Sequence, residues 1–144
     1  MAWASSKGGG LDAAMVLSAL PDPPHAVTDV TGFGLLGHGW EMAERSGVTL
    51  AFDAGRLPLY PGALATAEAG TRTGGDARNR EHLEGKVAVG AGVGDALVAL
   101  AYDPQTSGGL LASVAPSAVG ALAATGFVAV GTVEAGPAGV ALRP

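Results

Sequence analysis

The strongest structural signal in the sequence is TDVTGFGLLGH at residues 28–38, where three glycines stand between an extended segment and a helix. Gly32, Gly34 and Gly37 form the pattern G-x-G-x-x-G, and Asp53 lies about twenty residues further on. A strand, a tight turn and the beginning of a helix must therefore follow one another here. This junction predicts a domain in which strands and helices alternate.

The rest of the chain supports that alternation. Apolar residues recur at three- and four-residue spacings in 34–46, which predicts a helix with one buried face that ends at Gly47. The other predicted helices are 11–20, 60–69, 94–100 and 116–125, and the predicted strands are 25–30, 48–53, 86–89, 110–114 and 127–133, with 140–142 as an edge strand. Between them, TRTGGDARNR (71–80) predicts a polar loop and DPQTSGG (103–109) a cluster of turns.

The composition limits the kind of protein this can be. A chain of 144 residues with 48% hydrophobic and 15% charged residues can bury the core of one domain. The absence of cysteine excludes disulfides, thiolate nucleophiles and cysteine-bound metals. The net charge of −5 argues against nucleic acid as a partner, and no apolar run is long enough to cross a membrane. We therefore expect a soluble cytoplasmic protein with a flexible leader at 1–10 and one folded domain at 11–144.

Three interpretations of the glycine junction follow from the residues. A dinucleotide site would use the glycines and Asp53, but the strand HAVTDVT is too polar for a buried parallel strand, and the Asp29 carboxylate would repel a pyrophosphate. Alternatively, Asp29 and Thr31 cap the following helix while the glycines allow close packing. In the third interpretation, Asp29 holds Mg²⁺ at the end of the strand and the amides of the turn contact a phosphate. The residues alone leave the second and third interpretations level.

A histidine follows the glycines on the predicted helix. His38 could serve as a general base, but neither His25 nor His82 is grouped with it in the sequence. A packed or capping histidine fits this position better.

Four longer sequence motifs show a family resemblance. TDVTGFGLLGH (28–38), LPLYPGAL (57–64), TGGDARNR (73–80) and DPQTSGGLL (103–111) resemble, in this order, the C-terminal domain of the selenophosphate synthetase (selenide, water dikinase) family. That family belongs to a superfamily that includes aminoimidazole ribonucleotide synthetase. The resemblance covers about residues 11–142 and implies an α/β (α+β) fold with helices packed against a mixed β-sheet.

The resemblance also implies a function. It indicates ATP-dependent phosphorylation of selenide to selenophosphate, with release of AMP and phosphate, by a cytoplasmic homodimer. In the family, the Asp of TDVTGFG helps to bind Mg²⁺, which corresponds to Asp29 here, and Thr31, Gly32 and Gly34 correspond to the side that faces the phosphates of Mg²⁺–ATP.

The resemblance leaves part of the family's machinery unmatched. The remaining metal carboxylates, the ATP-contacting lysine and the cysteine or selenocysteine position of the family belong to an N-terminal domain that this sequence does not match. We therefore expect no catalytic residue in the chain, and we expect ATP and Mg²⁺ to need that further domain for tight binding. The alternatives are another ATP-using enzyme of the superfamily, in hydrogenase maturation or purine biosynthesis, or a non-catalytic dimerisation or docking module.

Overall fold

The structure, a computed structural model, describes residues 1–4 and 10–144, and its strands and helices alternate along the chain. The helices are α1 (Gly10–Ser18), α2 (Gly34–Ser46), α3 (Ala63–Glu68), α4 (Gly74–His82), α5 (Asp95–Tyr102) and α6 (Val119–Ala123). The strands are β1 (Ala2–Ala4), β2 (Ala26–Asp29), β3 (Thr49–Asp53), β4 (Val87–Val89), β5 (Leu110–Ser113), β6 (Val128–Ala129), β7 (Gly131–Glu134) and β8 (Gly139–Arg143). None of the helices in the described ranges has the length and apolarity that crossing a membrane requires.

The strands form two sheets of four. In the first sheet the order is β2-β5-β1-β6 and each neighbouring pair is antiparallel. In the second sheet the order is β4-β8-β3-β7, with β8 parallel to both β4 and β3 and with β7 antiparallel to β3. The predicted α/β class with a mixed sheet is therefore confirmed, and the strands are divided between a mixed and an antiparallel sheet.

The two sheets share one hydrophobic core. Phe52 and Leu142 from the second sheet and Leu111 from the first belong to the same buried cluster, which also includes Leu36 of α2. Adjacent strand residues point to opposite faces of a sheet, so Ala112 faces away from this cluster and packs with Leu17, Leu122 and Phe127 beside α1 and α6. The first sheet is thus covered on both faces, which makes β5 its central buried strand.

The helix after the glycine turn forms as the sequence predicts. α2 begins at Gly34 and ends at Ser46, and Gly47 follows with a φ of +64° and donates its N–H to Ala43 O. Leu35 and Leu36 are buried, whereas Glu44 is exposed, as the apolar spacing requires.

Two predictions of local structure are wrong. Residues 74–80 of the predicted polar loop belong to the helix α4, which extends to His82, because Asp76 and Asn79 are buried on one face of it. The segment 140–142 belongs to β8, which lies between β4 and β3 and is not an edge strand. Its residues Val140 and Leu142 are 2% and 0% exposed, as a central strand requires.

The beginning of the chain also differs from expectation. Residues 2–4, placed by the sequence in a flexible leader, form β1 and pair with both β5 and β6. Gly10 of that leader begins α1, and residues 5–9 lie outside the described residues.

Candidate functional site

Strand β2 and the DPQTSGG loop (103–109) are joined by backbone hydrogen bonds just beyond the end of the strand. The Val30 N–H donates to Gly109 O at 2.9 Å, and the Gly108 N–H donates to Val30 O at 3.0 Å. The two segments approach so closely that a Cβ on Gly108 would lie 2.5 Å from Val30 O. The loop before β5 therefore supports the junction between β2 and α2.

The glycine turn itself is fixed by Thr31 and Gly34. Thr31 O accepts hydrogen bonds from the N–H groups of Gly34 and Gln105, each at 3.0 Å. Gly34 has a φ of +68°, and a Cβ there would lie 2.7 Å from Tyr102 O. A side chain at this position would meet both an unfavourable backbone conformation and a carbonyl oxygen. Gly34 therefore serves the geometry of the turn and its close packing on α5.

The topology distinguishes between the interpretations of this junction. A dinucleotide-binding unit needs the strands before and after its first helix to lie parallel in one sheet, whereas β2 and β3 belong to different sheets. The capping part of the second interpretation is not found, because Phe33 is the N-cap residue of α2 and makes no side-chain cap hydrogen bond. Its other part, close packing of the glycines, is present at Gly34. The position of Asp29 at the end of β2 leaves its role as a cation ligand a prediction.

Helix α4 also contacts the glycine turn, through the side chain of Asn79. The Asn79 Nδ2 donates to Gly32 O at 3.1 Å and to Tyr102 O at 2.8 Å. Asn79 is 6% exposed, and Gly75 on the same helix packs so closely on Pro104 that a Cβ would not fit. The TGGDARNR segment, predicted as part of a polar loop, therefore holds the glycine turn in place.

An ion pair lies beside this contact. Arg80 Nε donates to Asp76 Oδ2 at 2.9 Å and to Oδ1 at 3.1 Å, and its guanidinium lies 4.6 Å from the centre of the Tyr102 ring. Burial raises the pKa of Tyr102 above its usual value, while the Arg80 charge lowers it and the Asp76 charge raises it. The phenol of Tyr102 is therefore neutral at physiological pH, and the residue serves packing.

Asp29 is the last residue of β2, and its side chain is exposed. Within residues 1–4 and 10–144, no donor or cation contacts its carboxylate. Nor does that part of the chain group three His, Asp or Glu side chains so that they could hold a metal ion. Asp29 thus offers a single carboxylate, which fits Mg²⁺ where phosphate oxygens and water supply the other ligands.

The other predicted site residues differ in accessibility. Thr31 is half-buried and Gly32 is exposed, and no acceptor in the described ranges contacts the Gly32 N–H. Gly34 is buried and its N–H is already bonded to Thr31 O. Asp29, Thr31 and Gly32 therefore lie together at the exposed end of β2, whereas Gly34 lies beneath them in the turn.

His38 makes two side-chain hydrogen bonds that the sequence did not indicate. Its Nδ1 lies 2.9 Å from Glu41 Oε2, and its Nε2 lies 3.0 Å from Thr31 Oγ1. The imidazole is 7% exposed, so it is packed as predicted. The spacing of three residues on a helix is the sequence signal for the contact with Glu41, whereas the contact with Thr31 depends on the shape of the turn.

The domain is of the α/β class. It contains two sheets, a glycine turn supported by α4, and a loop before β5, and it belongs to an established family. The chain belongs to the family described as AIR synthase related protein, C-terminal domain, whose model matches residues 11–142. It is similar to curated proteins named selenide, water dikinase, as the resemblance of its sequence motifs predicted.

The identities to three of these relatives are substantial, and the aligned share of the chain is large. The relative from Nitratidesulfovibrio vulgaris is 46% identical over 119 residues, which cover 83% of this chain and 33% of the relative. That from Pseudomonas straminea is 43% identical over 122 residues, covering 80% and 34%. That from Caldanaerobacter subterraneus subsp. tengcongensis is 52% identical over 90 residues, covering 62% and 26%. The chain thus spans about a third or less of the length of these relatives.

Proposed function

We propose that this chain forms the C-terminal part of an enzyme that phosphorylates selenide with ATP, giving selenophosphate, AMP and phosphate. The name selenide, water dikinase, borne by relatives that are 43–52% identical, supports this reaction. The observation that carries the proposal is the exposed Asp29 carboxylate at the end of β2, beside a turn that α4 and the loop before β5 hold rigid. From the family resemblance we also propose that the enzyme is a cytoplasmic homodimer.

The residues at the end of β2 have separate roles in this proposal. Mg²⁺, when bound, supplies positive charge that neutralises the phosphoryl oxygens of the nucleotide. Asp29 is one ligand of the ion, and the exposed Gly32 N–H is available to a phosphate oxygen. Thr31 lies between them, and Gly34 contributes only the shape of the turn, because its own N–H is bonded within the chain.

The proposal predicts that the chain alone lacks activity. One carboxylate on an exposed strand end holds Mg²⁺ weakly, because the described part of the chain groups no three His, Asp or Glu side chains that could share the ion. The purified 144-residue chain should therefore bind ATP weakly and should form no AMP from ATP and selenide. Selenide-dependent AMP formation by the chain alone would contradict this prediction.

A chimera tests the function directly. This chain would replace the matching segment of the Nitratidesulfovibrio vulgaris relative, and AMP formation from ATP would be measured with and without selenide. We expect selenide-dependent activity in the chimera, and we expect Asp29→Ala to lower it by about 100-fold or more, as the loss of a group that stabilises transferred charge does. Asp22→Ala, which removes an exposed carboxylate after α1, is the matched control and should leave the rate unchanged.

The outcomes of this experiment differ in meaning. A folded chimera without selenide-dependent AMP formation would overturn the proposed reaction. Full activity in Asp29→Ala would leave the reaction in place and overturn the role of Asp29.

A further inference from the structure

A buried imidazole connects two side chains at the start of α2. His38 is 7% exposed and lies between Glu41 Oε2, 2.9 Å from its Nδ1, and Thr31 Oγ1, 3.0 Å from its Nε2. The Glu41 side chain is 44% exposed. The Phe33 ring lies 5.7 Å from the imidazole, between ring centres, and covers it near the turn. Both ring nitrogens of His38 are therefore engaged by side chains.

The chemistry of the three groups limits where the hydrogen atoms lie. An ionised carboxylate only accepts hydrogen bonds, so the short contact with Glu41 requires the proton on His38 Nδ1. When the imidazole is neutral with its proton on Nδ1, Nε2 is an acceptor, and the hydrogen of the contact at 3.0 Å comes from the Thr31 hydroxyl. In this tautomer the hydroxyl hydrogen of Thr31 points at His38, and its lone pairs are left for another partner.

The position of Thr31 determines where those lone pairs are presented. Val30 is fully buried, whereas Asp29 is exposed and Thr31 is half-buried. Alternate residues of an extended segment share a face, so Asp29 and Thr31 lie on the side opposite Val30. The Thr31 backbone is fixed because its carbonyl accepts two hydrogen bonds from N–H groups of the turn and the adjoining loop. The Thr31 side chain therefore lies on the same side of the chain as the exposed Asp29 carboxylate.

We propose that His38 and Glu41 are positioning residues that hold the Thr31 hydroxyl as an acceptor, facing the cation on Asp29 or a water bound to that cation. This inference rests on the proposed function, since it needs a hard cation at Asp29. A hydroxyl whose hydrogen is engaged cannot donate to a phosphate oxygen, so Thr31 belongs to the cation side of the site and the Gly32 N–H to the phosphate side.

The first test measures the tautomer in the chain without metal. Long-range ¹H–¹⁵N correlation spectra of the labelled chain distinguish a proton on Nδ1 from one on Nε2. We expect His38 to carry its proton on Nδ1, and we expect Glu41→Ala to abolish this preference. Glu44→Ala, one turn further along the exposed side of α2, is the matched control and should leave the His38 spectrum unchanged. A proton on Nε2 in the unmodified chain would overturn the inference.

The second test uses Mn²⁺ alone as a paramagnetic probe, with the broadening of the Thr31 and Gly32 amide signals as the readout. We expect Asp29→Asn to abolish this broadening. Thr31→Val and Glu41→Ala should each weaken Mn²⁺ affinity by about 10-fold, as the loss of a group that orients a metal ligand does. Thr31→Ser, which keeps the hydroxyl, should retain the affinity for Mn²⁺. Thr28→Val, at the strand position before Asp29, should not change it.

The outcomes separate the two proposals. If Asp29→Asn abolishes the broadening while Thr31→Val and Glu41→Ala have no effect, the role of Thr31 is overturned and Asp29 stands. If no broadening depends on Asp29, the metal ligand itself is overturned, and the role of Thr31 with it. If Thr31→Val weakens the binding of inorganic phosphate but not of Mn²⁺, the hydroxyl faces the anion and the inference is wrong.

Discussion

Gly32 and Gly34 lie two residues apart in one turn, yet different physical constraints act on them. Gly34 has a φ of +68° and no space for a Cβ, because carbonyl oxygens of α5 and of the residue after it lie within 2.9 Å of that position. Gly32 has an ordinary backbone conformation, and a Cβ there would contact nothing within 4 Å. The fold therefore requires a glycine at 34, while the packing of this chain does not require one at 32.

The matched pair Gly34→Ala and Gly32→Ala tests that distinction. We expect Gly34→Ala to lower the free energy of unfolding by about 2 kcal/mol or more, from the left-handed conformation and the clash with Tyr102 O. Gly32→Ala should change it by less than about 0.5 kcal/mol, as a surface substitution does. Urea unfolding of both variants measures the difference, and equal losses of stability would contradict the prediction.

Tyr102 gives a prediction for alkaline pH. Because burial raises its pKa, the folded chain keeps the phenolic proton at pH values where the unfolded chain, near its usual value of 10.0, has released it. Stability is therefore fully present below about pH 10 and falls as pH rises through the raised pKa. Tyr102→Phe should abolish this loss of stability at alkaline pH, whereas Tyr60→Phe should leave it in place. Unfolding midpoints measured between about pH 9 and pH 11 provide the test.

The sequence predicts the glycine turn better than the long-range contacts that support it. The turn is recognisable because closely spaced glycines are a local signal. Asn79 donates to carbonyl oxygens that lie 47 and 23 residues away in the chain, and no local pattern encodes such contacts. The partnership of Thr31 with His38 was missed for the same reason, since it appears only once the turn is formed.

At the level of elements, α4 shows where sequence patterns fail. Its segment TGGDARNR has two glycines and no apolar stripe, so propensity and periodicity both favour a loop. The helix forms because tertiary contacts stabilise it: Asn79 reaches two carbonyl oxygens and Asp76 pairs with Arg80 one turn later. The prediction of β8 as an edge strand is wrong for another reason. A short apolar run does not reveal whether a strand is central or at an edge.

Two adjacent glycines of α4 offer a matched test of its contact with the loop before β5. A Cβ at Gly75 would collide with Pro104, whereas a Cβ at Gly74 would meet nothing within 4 Å. We expect Gly75→Ala to destabilise the chain by about 1–3 kcal/mol, in the range of overpacked sites. Gly74→Ala should be neutral or should stabilise by up to about 1 kcal/mol, because alanine favours the helix. Thermal unfolding followed by circular dichroism separates them, and a stable Gly75→Ala variant would show that α4 moves freely on the loop.

For the whole molecule, the alternation of strands and helices was sufficient to predict the class but not the division into two sheets. The segment 127–133 was predicted as one strand, and its residues belong to β6 in one sheet and β7 in the other. Val130 lies between them, fully buried, and its carbonyl accepts the N–H of Asp53 at 2.9 Å. A change of sheet within one apolar run leaves no signal in the period of the pattern.

Because both sheets contribute to one core cluster, the described domain should unfold as one cooperative unit. Leu111 in β5 is fully buried in that cluster, so Leu111→Ala should lower the free energy of unfolding by about 2–5 kcal/mol. Amide hydrogen exchange should show the same loss of protection in β8, in the other sheet, as in β5. Val27→Ala, at a position 46% exposed on β2, is the control and should leave both strands protected. A loss of protection confined to the first sheet would mean that the sheets unfold separately, and the glycine turn on the first sheet could then open while the second sheet stays folded.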